Sequence, residues 1–188
     1  MSRLRFIIPL VIFGLIVVVL AIGIEQSPDK NLIPSPLIGK PAPAFSLPSL
    51  TDPAERVSSA QLRGHWYLFN VWGTWCVSCR MEHPMLLKIR QTGVLPIIGL
   101  DWHDQRSDAL SFLKSQGDPY RRIAVDTDGS EAIMWGVYAA PESFLVNPQG
   151  IVVYKCIGPI TEQTWERQIL PRLPLSETSA AAGAAGSA

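Results

Sequence analysis

Phe69-Asn70-Val71-Trp72-Gly73-Thr74-Trp75-Cys76-Val77-Ser78-Cys79-Arg80 carries an apolar run, begun at Trp66, into two aromatic residues and a Cys-x-x-Cys pair. A helix-compatible segment follows. Two cysteines three apart close a disulfide when the first caps a helix and the second lies in its first turn. Unpaired backbone N–H groups and the macrodipole at such a helix start also stabilise a thiolate. A strand that delivers this pair to a helix start is a redox device. Cys76 is the candidate nucleophile, expected to be partly exposed. Cys79, one turn deeper, is the candidate resolving thiol, which attacks Cys76 and releases a reduced substrate. Half of a zinc site and a structural staple are the competing readings. A four-ligand zinc site needs two more ligands, and only Cys156, His65, His83 and His103 are available, without a second spaced pair. No metal and no cofactor is expected.

Upstream, Phe6 to Ile24 is an unbroken apolar run of 19 residues behind Arg3 and Arg5. As a helix it would span roughly 28 Å, close to the hydrocarbon thickness of a bilayer. The two arginines place residues 1–5 in the cytoplasm by the positive-inside bias. The reading is a transmembrane anchor over 6–24 with Pro9 in its first turn; a cleaved signal peptide, with Ala21-Ile22-Gly23 as its site, is the competitor. Either way the remainder is exported. Residues 25–36 form a stiff proline-rich spacer, 37–174 one domain, and 175–188 a disordered Ala/Gly/Ser-rich tail. A chain of 188 residues that is 47% hydrophobic has ample core for such a domain. Outside Arg3 and Arg5 it carries 14 basic against 16 acidic residues and no basic block, so nucleic acid is excluded as a partner. Three cysteines are too few for a disulfide framework and fit a catalytic pair plus one odd residue.

Within the domain, Phe45 to Leu47 reads as a short edge strand. Tyr67 to Trp72 is apolar on both faces except at Asn70, as expected of a central strand. Cys76 to Arg90 reads as a helix kinked at Pro84, and Val94 to Asp101 as a second buried strand. A helix capped by Ser107 and ended by Gly117 follows, then a strand from Arg121 to Val125 and a short helix from Glu131 to Trp135. Ser143 to Val146 and Ile151 to Lys155 form a hairpin. A last helix starts at Thr161 or Thr164 and ends before Pro171. The order is a thioredoxin-like α/β arrangement, a central mixed sheet flanked by helices. The cysteine pair then sits at the carboxyl end of a central strand, where open α/β sheets place their ligands.

Other candidates each carry a plain structural alternative. Trp72 and Trp75 form an apolar apron for a substrate chain, or pack in the core, which suits Trp72 better. Pro141, before a strand, is either an ordinary trans residue or the cis proline that in a thioredoxin fold faces the cysteines. In the latter case it presents the backbone of Ala140 to an extended substrate. Glu82, three residues after Cys79 on the same helix face, is either a solvated glutamate or a base for Cys79. As a buried charge it would disfavour the thiolate and make the protein a better reductant. Asn70 stands where cytoplasmic thioredoxins carry a buried acid, which raises the question whether Glu82 has taken over that role. Glu142 either adds negative charge at the groove rim or is a solvated strand-end residue. Cys156, expected just after the last strand, is either a third redox thiol or a small core residue.

Together, Leu37-Ile38-Gly39-Lys40-Pro41, Asn70 to Cys76, Arg80-Met81-Glu82-His83, Trp102 to Tyr120 and Gly136-Val137-Tyr138-Ala139-Ala140-Pro141-Glu142 resemble the CcmG/DsbE family. Its members are membrane-anchored thioredoxin-like proteins of cytochrome c maturation. The resemblance runs from the anchor to about Leu173, and its last segment is the most specific. It implies a single-pass protein of the bacterial inner membrane with its catalytic domain in the periplasm. There it is kept reduced by a transmembrane donor of the DsbD/CcdA type. It would deliver electrons to the haem-binding Cys-x-x-Cys-His segment of apocytochrome c, directly or through a CcmH-type thiol protein. It also implies that Cys76, Cys79, Glu82, Pro141 and Glu142 are active-site or groove positions. Val77 departs from the proline common after the first cysteine, and Ala139 from a common glycine. The alternatives are a general periplasmic reductase of the ResA/TlpA kind, an oxidant of the DsbA type, and a metallochaperone holding a metal on Cys76 and Cys79.

Overall fold

The computed structural model describes residues 4–25 and 35–174, and the chain divides into two units, residues 1–33 and 34–188. Most of the expected cytoplasmic start and proline-rich spacer, and the whole expected tail, lie outside the described residues. The described residues of the first unit form a helix, α1 (Leu4–Glu25). It begins two residues before the apolar run, so Pro9 falls in its second turn rather than its first. The large apolar side chains described along it, from Val11 to Leu20, are exposed. Among the described residues, which for the side chains of α1 are Pro9 and Val11–Leu20, no helix is long and apolar enough to cross a membrane.

The second unit is built on a five-stranded sheet. Its strands are β3 (Tyr67–Trp72), β4 (Ile97–Trp102), β5 (Arg122–Asp126), β6 (Glu142–Val146) and β7 (Val152–Ile157). A small antiparallel ladder of β1 (Ser46–Pro48) and β2 (Arg56–Ser58) precedes them. The sheet order is β5-β4-β3-β6-β7, with β3, β4 and β5 parallel and β6 and β7 antiparallel to their neighbours. Every residue of β3 is buried, because hydrogen-bonded strands lie on both sides and packed layers cover both faces. Alternation divides its side chains. Phe69 and Val71 face one core with Trp135 and Phe144, where the rings of Phe69 and Trp135 stack at 4.2 Å. Leu68 and Trp72 face the other, which packs against α2 (Val77–Thr92) and α3 (Arg106–Gln116).

α2 runs unbroken through Pro84 and ends at Gly93, whose left-handed backbone (φ 65°) lets its N–H reach the Arg90 carbonyl. α3 begins one residue before the expected cap. Gln105 is the N-cap, and the Ser107 hydroxyl bonds Asp108 instead of backbone. α4 (Ser130–Met134) and β6 follow the expected order. Thr161 caps α5 (Glu162–Thr164), which passes into a π-helical turn at Trp165–Ile169 and a 3₁₀ turn at Leu170–Arg172. Cys156 lies inside β7 rather than after it, because that strand continues to Ile157.

Candidate active site

The carboxyl end of β3 feeds the loop Gly73–Trp75 into the start of α2. Cys76 is the N-cap, with extended backbone, and its Sγ accepts the Cys79 N–H at 3.1 Å. Cys76 and Cys79 are joined as a disulfide, their Cα atoms 5.3 Å apart. The expected exposure of Cys76 is not found: it is 4% exposed and Cys79 5%. Its side chain turns back to cap the helix and lies 3.3 Å from the carbonyl oxygen of Ala140. The Ala140–Pro141 peptide is cis and opens directly into β6. The sheet order therefore brings residue 76 and residue 140, far apart in the chain, to one end of β3 and β6.

The loop is held by the end of β4, the segment after it and α2. The Thr74 N–H and hydroxyl donate to the two carboxylate oxygens of Asp104, at 2.5 and 2.7 Å. The Arg80 guanidinium donates to the Thr74 carbonyl at 3.0 and 2.7 Å. The Trp75 indole donates to the Trp102 carbonyl at 2.9 Å. Trp75 is half-exposed, 51%, and can offer an apolar face beside the cysteines. Trp72 cannot. It is buried and stacked at 5.2 Å on Tyr120, so its place in a substrate groove is replaced by a place in the core.

Three residues after Cys79 on α2, Glu82 is buried among polar partners. Asn70 donates to Glu82 Oε1 at 2.9 Å and to the Ser143 hydroxyl at 2.9 Å. The Ile160 N–H donates to Glu82 Oε2 at 2.8 Å, and the Tyr120 hydroxyl donates to Asn70 Oδ1 at 2.9 Å. Burial raises the Glu82 carboxyl to about 7 against the pull of the Ile160 N–H and the Asn70 amide. A group poised there can take or give a proton near neutral pH. The strand-borne amide and the helix-borne acid are thus direct partners, and the solvated alternative for Glu82 is excluded by its burial.

Glu142 is not at the rim. β6 pairs it with Val71 and Ile157 on either side, and its carboxylate is fully buried. Lys155 Nζ sits 2.7 Å from its Oε2 and donates to the Gly136 carbonyl at 3.0 Å. The same ammonium lies over the rings of Phe144 and Tyr138 at 5.0 and 5.5 Å. The charge expected at the groove edge is compensated inside. Cys156 is fully buried opposite Ser143, and burial, then the Glu82 charge, pushes its thiol up to about 12. Such a thiol is inert at neutral pH. Sequence reasoning missed Ser143, Tyr120, Lys155, Asp104 and the Ile160 N–H. A lone lysine in an apolar strand was the one available signal, pointing to Lys155. Among the described residues no group of three or more His, Cys, Asp or Glu is placed to hold a metal ion.

A strand-delivered cysteine pair capping a helix, faced by a cis proline that opens the next strand, defines a thioredoxin-fold thiol:disulfide oxidoreductase. Comparison with known proteins narrows the class. A Redoxin family model matches residues 37–169. The thiol:disulfide interchange protein DsbE of Allochromatium vinosum is 45% identical over 170 residues, 90% of this chain and 93% of that protein. The DsbE of Pseudomonas aeruginosa is 42% identical over 91% and 93% of the two chains. A solved thiol:disulfide interchange protein of Chlorobium tepidum superposes with a TM-score of 0.61 at 27% identity, over 71% of this chain and 96% of that one. A DsbF homologue of Corynebacterium diphtheriae, at 22% identity and a TM-score of 0.62 over 71% and 87% of the chains, shares the fold. The chain belongs to the DsbE/CcmG family of thiol:disulfide interchange proteins.

Proposed function

We propose that the chain works as a reductant in cytochrome c maturation, on the periplasmic side of the bacterial inner membrane, with α1 as its single-pass anchor. A donor of the DsbD/CcdA type would reduce the Cys76–Cys79 disulfide. The Cys76 thiolate then attacks one sulfur of a partner cystine, forming a mixed disulfide and expelling the partner's other sulfur as a thiolate. Cys79 gives up its proton, with Glu82 as the acceptor, and attacks Cys76 Sγ. The second partner sulfur leaves as a thiolate, and two electrons have passed to the partner. Ala140 beside cis Pro141 offers strand-like backbone pairing to the incoming chain, and Trp75 an apolar contact. Glu142 contributes through the buried pair that seats the Pro141 turn. The observation that carries the reductant direction is Glu82, a carboxyl buried behind the pair, whose charge opposes a stable thiolate.

The substrate is the oxidised Cys-x-x-Cys-His segment of apocytochrome c, or the CcmH-type protein that relays to it. Haem attachment needs free thiols, and the periplasm oxidises them. Replacing Cys79→Ser removes the resolving thiol and strands the mixed disulfide. In cells, the adduct through Cys76 is expected to contain apocytochrome c or a CcmH-type protein, identified by mass spectrometry. Adducts only with oxidase-assembly proteins would move the chain to the general reductases, and its presence in the soluble periplasmic fraction would remove the anchor.

A further inference from the structure

β4 is apolar until it reaches Asp101, which is fully buried, and among the described residues neither of its carboxyl oxygens has a hydrogen-bond partner. Its register partners are Trp72 of β3 and Val125 of β5. Alternation from Ile97 puts it on the sheet face of α2 and α3, where the Trp72 indole and the Tyr120 ring close over Gly99. The exchange chemistry above does not use it. Three residues on is Asp104, the half-buried carboxylate whose two oxygens hold the Thr74 N–H and hydroxyl. Burial, then the charge of Asp104 and a direct side-chain interaction with its carboxyl, raise the Asp101 carboxyl to about 8. Two carboxylates so placed do not both ionise without cost.

The other groups around Asp101 do not compensate it. Tyr120, from the segment before β5, donates its hydroxyl hydrogen bond to Asn70 Oδ1 and is pushed up by burial and by Glu82, Asp118 and Asp101 in turn. Glu82 of α2 lies beyond Asn70. His83 of α2 faces the Gly117 carbonyl, and Asp108 of α3 bonds Ser107. Arg80, the cation of this end of α2, is spent on the Thr74 carbonyl.

We propose that Asp101 is a positioning residue for the redox loop: its buried, unpartnered carboxyl ends the strand that carries Asp104 to Thr74, and a charge placed there loosens the grip of Asp104 on Thr74 two residues before Cys76. With both carboxylates charged, the half-buried Asp104 turns toward solvent and releases the Thr74 N–H. The grip on Thr74 does not depend on which protein the dithiol reduces, and it can be read in the oxidised protein, where Cys76 and Cys79 do not titrate.

The test follows the Thr74 backbone amide by ¹⁵N NMR in the oxidised full-length chain, in detergent micelles, from pH 5 to 10. A step near pH 8 is expected in the wild type and in Glu82→Gln, and none in Asp101→Asn, whose amide mimics the neutral acid. The proposal is overturned if the step persists in Asp101→Asn, disappears in Glu82→Gln, or is missing from the wild type. Should Asp101→Asn not fold, Asp104→Asn decides. Without its like-charged neighbour Asp101 should titrate at lower pH, as seen on the Trp72 indole N–H, and an unmoved titration overturns the proposal.

Discussion

Glu82 links chemistry and stability in one side chain. Burial raises its carboxyl from 4.5 to about 7. Between those values the unfolded chain has released the proton while the folded protein retains it. Stability therefore falls as pH rises through that window, free of the cost below it and bearing the whole cost above, about 3 kcal/mol at roughly 1.4 kcal/mol per unit. In urea unfolding of the oxidised protein, Glu82→Gln should lose about 2.5 kcal/mol less than wild type between pH 5 and pH 8. Equal losses would mean that Glu82 is solvated. The sequence showed Glu82 on the helix face of Cys79 and Asn70 as the lone amide in an apolar strand. It could not show that the two meet, because that contact depends on how α2 lies across β3. Nor could it show the screening of Cys76, which is shut in by a carbonyl 64 residues away.

At the scale of elements, β6 and β7 carry a buried ion pair beside the Pro141 turn. Lys155→Met leaves the Glu142 carboxylate buried without a counter-charge and should cost about 3–5 kcal/mol in urea unfolding. Pairing it with Glu142→Gln should recover most of that loss, since a neutral pair of similar volume needs no compensation. A single variant as stable as wild type would show that Lys155 does not hold Glu142 in solution. β3 and α2 were legible because each writes its pattern locally: six successive buried positions, then a cap and an apolar face. β2 was not, because three residues with one buried valine, Val57, make no period. Lys155 and Asp101 were overlooked for a related reason. A charged residue near a strand end reads as solvated until the neighbouring strands are placed around it.

At the scale of the whole molecule, the sheet order joins two segments that sequence could recognise separately, Trp72–Cys79 and Gly136–Glu142, into one site at the carboxyl end of β3. The 45% identity to a DsbE across nine tenths of the chain fixes the exchange chemistry. The direction of electron flow rests on the balance at the pair. The helix start favours a thiolate, while burial and the Glu82 charge oppose it. The reduction potential of the Cys76–Cys79 pair at pH 7, from equilibration with glutathione or dithiothreitol, reads that balance directly. A reductant should sit near the value of thioredoxin, about −270 mV. A potential near that of DsbA, about −120 mV, would show the pair to be an oxidant and contradict the account.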